Sequence, residues 1–144
     1  MTDLNHKREN KIRVAGYIRV KRKMDYDHQV EGFTHQIRRN PEYQLVEVFT
    51  DIGYYEPDLE GITGLIRACE AGKIDEVIVK SKRNFIPDVT EAYKVFKKLK
   101  ELGVEVQFQW EGYDTKNDLF MTLLEALAKA EQKEKIMHEK RMRR

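Results

Sequence analysis

Short runs of apolar residues alternate with longer segments whose apolar positions recur every three or four residues, a strand-then-helix rhythm that repeats along the chain. Ile12 to Val20 reads as a first strand. A polar segment follows, then a helix carrying Phe33 and Ile37 that should stop near Asn40-Pro41, because proline disfavours helix for the residue before it and cannot continue one. Leu45, Val46, Val48 and Phe49 form a second strand. Asp58 is the expected N-cap of the next helix, whose apolar positions are Leu59, Ile62, Ile66 and Cys69, with Gly72 closing it as a C′ glycine. Val77-Ile78-Val79 is a continuous apolar run of the kind buried on both faces in a parallel sheet. Asp88 and Glu91 have capping-box spacing and open a helix with Val89, Ala92, Tyr93, Phe96 and Leu99 on one face, ending at Gly103. Val104, Val106 and Phe108 alternate as a fourth strand. After a loop around Gly112, a long helix begins near Asn117, its apolar side built from Leu119, Phe120, Leu123, Leu124, Leu127 and Ala130 and thinning to Ile136 and Met137.

This order predicts an α/β fold: a mainly parallel sheet of four to five strands flanked by helices, with a long C-terminal helix. Residues 1–11 are polar and read as a flexible lead-in, residues 12–116 as the α/β domain, and residues 117–144 as a long basic amphipathic helix. A chain of 144 residues with 40% hydrophobic content suits one domain with one substantial core. Charged residues reach 36%, yet the net charge is only +2, so local distribution carries more information than the total. The single cysteine, Cys69, excludes an intramolecular disulfide and fits a reducing compartment. No apolar run approaches the ~18 residues of a membrane span, and no signal-like segment follows Met1. A cytoplasmic protein without membrane contact is expected.

In open α/β sheets, functional groups gather beyond the carboxyl ends of the strands. There the first strand is followed by Arg19, Lys21, Arg22 and Lys23, and the third by Lys80, Lys82 and Arg83. Two adjacent strand ends would form a cationic rim suited to phosphate; a solvated basic surface is the plainer reading. The segment Lys129–Arg144 has seven Lys/Arg against three acidic residues. It is either a solvated helix end or a helix that pairs through Leu123, Leu127, Ala130 and Met137 and lays Lys140, Arg141, Arg143 and Arg144 along phosphates. His6, His28, His35 and His138 have no paired ligand spacing, so no metal is expected, and nothing calls for a cofactor. Tyr54-Tyr55-Glu56-Pro57 reads as a recognition loop or a plain turn, and Asp25, Asp27 and Glu31 as solvating residues.

Gly16-Tyr17-Ile18-Arg19-Val20-Lys21 resembles the opening strand of the small serine recombinases, the resolvase/invertase family, whose pattern is Gly-Tyr-x-Arg-Val-Ser. Asp51-Ile52-Gly53 is similar to the acidic turn after that family's second strand. Glu70 to Ser81 resembles its third-strand region, Leu99 to Val104 its next helix-to-strand passage, and Leu123 to Glu131 the start of its long helix. The order and spacing of these segments, from Arg13 to about Glu139, identify the chain with the family. The resemblance implies that Arg19 retains a catalytic arginine position and that Lys21 stands where the family has its serine nucleophile. It further implies that an expected arginine falls near Gly61. In the third-strand motif, Arg83 takes an Asp/Ser position, while Asn84 and Pro87 take two arginine positions.

A hydroxyl nucleophile and a cationic clamp are both needed for such phosphoryl transfer. Ser81, the only serine, falls at a neighbouring position rather than the nucleophile's. Lys21 could attack phosphorus only as a free amine, and a phosphoramidate is a poor intermediate for strand exchange. The expectation is therefore a pseudoenzyme that acts by dimerisation and by binding protein or DNA, with a role in regulating recombination or transcription. Its partners would be a second copy or a related recombinase, and DNA with little sequence preference, since no helix-turn-helix pattern follows the long helix. The alternatives are an active recombinase or nuclease with an atypical nucleophile, and an interaction protein with no DNA role.

Overall fold

The computed structural model describes residues 11–56 and 58–143. Five strands form one sheet in the order β2-β1-β3-β4-β5. Strands β1 (Ile12–Val20), β2 (Tyr43–Ile52), β3 (Glu76–Val79) and β4 (Glu105–Phe108) run parallel, and the short β5 (Tyr113–Asp114) returns antiparallel to β4. Four helices connect or follow them: α1 (Tyr26–Arg38), α2 (Glu60–Glu70), α3 (Val89–Glu101) and α4 (Asp118–Met142). The α/β class, the parallel sheet and the long last helix agree with the sequence reading. The fifth strand has too few residues to show alternation; it exists because Gly112 N–H donates to Phe108 O at 2.9 Å and turns the chain back onto β4.

The two faces of the sheet carry separate cores. Val14, Ile18, Val20 and Ile78 pack under α1 through Phe33 and Ile37. Ala15, Tyr17, Val77, Val79, Val106 and Phe108 face the other way, under α2 and α3. Phe85 is the keystone of the second core. It stacks on Phe96 with centroids 5.2 Å apart and meets Tyr17 and Phe108 edge-on at 5.7 and 5.6 Å. Such pairings add to the area that each ring buries, and here they fix the loop after β3 against the sheet.

Several expectations are corrected by packing. Asp58 does not cap α2. Leu59 occupies the N-cap position without a side-chain bond, and Asp51 at the end of β2 accepts from the Gly61 and Ile62 N–H groups at 2.7 and 2.9 Å. A strand-borne carboxylate thus satisfies donors that a cap would otherwise take. Leu65 is fully buried and Ile66 only half-buried, and Val95 replaces Tyr93 in the core, because each helix is rotated slightly from the face its sequence suggests. The Asp88 half of the capping box forms, its carboxylate accepting from Glu91 N–H at 3.0 Å, while Glu91 turns to Lys94. Gly72, at φ +73°, ends α2 as expected.

The largest revision concerns α4. Its contact with the domain runs through Phe120, Met121, Leu124 and Ala128, with Phe120 4.6 Å from the Tyr113 ring. Lys135 ties it to α3 by reaching Asp88 at 3.2 Å. Leu119, Leu123, Leu127, Ile136 and Met137, assigned above to one apolar side, lie exposed. No described helix is long and apolar enough to cross a membrane.

Candidate functional site

Parallel pairing sets the carboxyl ends of β1 and β2 side by side, with Arg19 opposite Asp51. Beyond them lies a cleft lined by Arg19, Lys21, Arg22, Gly53, Tyr54, Tyr55 and Pro87. Arg19 is buried, and its guanidinium is held in place: Nε donates to Phe85 O at 3.1 Å and Nη1 to Gly53 O at 2.7 Å. Lys21 is exposed at the mouth, and Arg22 is drawn into an ion pair with Asp25 at 2.9 Å. Below the cleft, Tyr17 Oη donates to Asp51 Oδ2 at 2.7 Å, so this carboxylate accepts three hydrogen bonds. Burial and the adjacent carboxylate push the Tyr17 phenol far above its usual range, which keeps it a neutral donor. Burial, with Glu91, Asp51 and Asp88 nearby, also raises the Tyr55 phenol.

The other predicted site residues do not converge on this cleft. Asn84 spends its side-chain amide on structure, donating to Arg19 O at 3.2 Å and Gln29 Oε1 at 3.3 Å, which ties the loop after β3 to β1 and α1. Gly61 has no room for any side chain: a Cβ there would sit 2.3 Å from Thr50 O and 2.7 Å from Asp51 Oδ1. In this chain the close approach of α2 to β2 therefore leaves no room at residue 61 for the arginine expected near it. Lys82 and Arg83 belong to a single 3-10 turn, Lys82–Asn84, and rim a second, apolar groove with Phe120, Leu124 and Leu127, which shares Pro87 with the Arg19 cleft. Lys80 lines a third cleft with Trp110. The single cationic rim expected from the sequence is thus split three ways. The physical reason is that side chains alternate across a strand and the 3-10 turn redirects those that follow it.

Glu111 was not singled out by the sequence reading. Its carboxylate accepts from Ser81 Oγ at 2.9 Å and from Lys82 N–H at 3.1 Å, so an internal anion sits on the loop after β3. A contact spanning 30 residues leaves no trace in local periodicity. Lys140, Arg141 and Arg143 lie exposed at the end of α4, and Arg144 lies outside the described residues. Leu123, Leu127, Ala130 and Met137 are all exposed on α4. Among the described residues no cluster of His, Cys, Asp and Glu could hold a metal ion. Cys69 is buried, and desolvation raises its thiol to about 11.

A family model described as the resolvase N-terminal domain matches residues 14–144. Among solved structures, the fold is similar to that of a resolvase family site-specific recombinase from Streptococcus pneumoniae, with a TM-score of 0.76 and 20% identity over 91% of this chain and 95% of that one. It is also similar to the N-terminal catalytic domain of TP901-1 integrase, with a TM-score of 0.71 and 22% identity over 84% of this chain and 97% of that one. The C-terminal catalytic domain of ISC1926 TnpA, an IS607-like serine recombinase, aligns with a TM-score of 0.60 and 22% identity over 68% of this chain and 69% of that one. No curated protein matches the chain significantly.

Proposed function

The chain belongs to the family of the resolvase N-terminal domain, and from that premise we propose that it is a serine-recombinase-like domain that has lost strand cleavage and works by binding. One observation carries this reading. The cleft around Arg19 is lined by cations, two phenols, a glycine and a proline, and by no serine, threonine or cysteine among the described residues. The position that the family pattern gives to the nucleophilic serine holds Lys21. The one serine, Ser81, is engaged by Glu111 in the neighbouring loop. The upward shift of Tyr55 disfavours a phenolate at that position.

What remains is a scaffold for contact. α4 presents Leu123, Leu127 and Met137 to solvent and carries a basic end, a pattern that suits pairing with a second copy or a related recombinase, with the cations of that end resting on DNA phosphates. Pairing with an active relative would place an incompetent subunit in a recombining assembly, which is a direct way to regulate recombination.

Incubation with supercoiled plasmid, followed by denaturing capture of covalent protein–DNA adducts, tests the loss of cleavage. Neither nicking nor adduct is expected from the native chain or from Lys21→Ser, because Asn84 and Pro87 still leave the clamp short of arginines. An adduct with the native chain, or cleavage restored by that one substitution, would overturn the proposal. A gel shift on the same DNA that weakens steeply with salt supports the DNA-binding role, and its absence at low ionic strength favours a purely protein-directed one.

A further inference from the structure

Trp110, the only tryptophan in the chain, is 82% exposed. Its backbone is nevertheless fixed: its N–H donates to Lys80 O at 2.9 Å, and the preceding Gln109 N–H donates to Val79 O at 2.9 Å. The β4–β5 turn therefore holds a large aromatic ring out to solvent on a rigid support. Around it lies a shelf of about 450 Å³, within the ~300–1,000 Å³ typical of small-ligand sites, lined by Gln36, Arg39, Lys80, Gln107, Gln109 and Trp110. The shelf lies at the edge of α1: the core beneath that helix draws on β1, β2 and β3 but on no residue of β4, and Gln36 of the helix meets the half-buried Gln107 and Gln109 across the shelf.

The chemistry of the shelf is one-sided. Lys80 and Arg39 have no ion-pair partner among the described residues, and no carboxylate lines the cleft. The adjacent Glu111 is turned away onto Ser81 and Lys82. Gln107 accepts from Tyr43 Oη at 3.1 Å through its side-chain oxygen, which leaves its amide nitrogen as a donor toward the shelf. An exposed aromatic face, two cations and amides able to donate or accept match an unpaired nucleobase with its phosphates. Bases inside a duplex are stacked on one another and present no face to Trp110. An acidic peptide would use the cations and leave the ring idle.

We infer that this shelf binds single-stranded nucleic acid, one base stacking on Trp110 while Lys80 and Arg39 hold neighbouring phosphates. The site is separate from the Arg19 cleft and from the basic end of α4, so it stands or falls independently of the function proposed above. Because Trp110 is the sole tryptophan, its fluorescence reports on the shelf directly. Titration of the full chain with oligothymidylate is expected to give saturable quenching, whereas a duplex of equal length and polyglutamate give little. Labelled-oligonucleotide anisotropy should show Trp110→Ala weakening binding by about 5- to 150-fold. Lys80→Gln and Arg39→Gln should each flatten the salt dependence by about 0.7 in log–log slope. Lys97→Gln, an exposed position on α3 that does not line the shelf, should leave the quenching intact. Circular dichroism of each variant should match the native chain, since none of these side chains is in the core. Absent quenching, equal quenching by duplex or polyglutamate, or unchanged affinity in Trp110→Ala would overturn the inference.

Discussion

Asp51 and Gly61 form a pair in which each explains the other. The Asp51 carboxylate reaches the first N–H groups of α2 only because Gly61 brings the helix backbone against the end of β2. With Tyr17 donating from β1, the carboxylate knits two strands and a helix at the floor of the Arg19 cleft. A side chain at residue 61 has no space, whereas Gly32 in α1 has nothing within 4 Å of a built Cβ. Gly61→Ala is therefore expected to destabilise the fold by about 1–3 kcal/mol or more through overpacking. Gly32→Ala should instead stabilise it by roughly 0.5–1 kcal/mol by reducing chain entropy within a helix. Urea midpoints of the two variants check both signs at once; a tolerated Gly61→Ala would refute the close approach. Aspartate and glycine were visible in the sequence, but their partnership was not, since Asp58 offered a nearer and more ordinary cap.

Among the elements, the clasp between β1 and the entry to β3 governs how the fold responds to acid. Arg13 grips Asp75 through Nε and Nη2 at 3.1 and 2.8 Å, and donates from Nη1 to Gly72 O at 2.9 Å. The hydrogen bond from Arg13 holds the Asp75 carboxyl below its ordinary value of 3.8, against a smaller opposing effect of burial. A carboxylate whose folded-state pKa is depressed contributes stability in full above the unfolded value and loses it as pH falls through the folded one. The native chain should therefore be more stable than Asp75→Asn at neutral pH, and the two should converge below pH 3.8, a comparison read from denaturant midpoints across pH. Both partners are 43% exposed, so the difference should also shrink with added salt. A gap that persists unchanged at acid pH would mean that the clasp acts by packing alone.

For the whole molecule, α4 sets how much surface is left for other molecules. One side of the helix is spent on α3 and the Tyr113–Phe120 contact, while Leu123 and Leu127 remain 56% and 58% exposed. The proposed pairing through this stripe predicts that Leu123→Glu with Leu127→Glu shifts sedimentation toward the monomer without changing helix content; unchanged association would remove the stripe from the interface. The rhythm of apolar runs, the helix-ending glycines and the motif around Arg19 are local patterns, and they were enough to determine the strand order along the chain, the α/β class and the family. What the sequence left open was decided by contacts between residues far apart. The Arg19 guanidinium is held by carbonyls of Gly53 and Phe85, Asn84 serves β1 and α1, Glu111 covers the loop after β3, and Lys80 shares a shelf with Trp110 rather than a rim with Lys21. Periodicity reports which face of an element is apolar but not which cations will face one another, because that depends on how strands and turns aim each side chain once the sheet has formed.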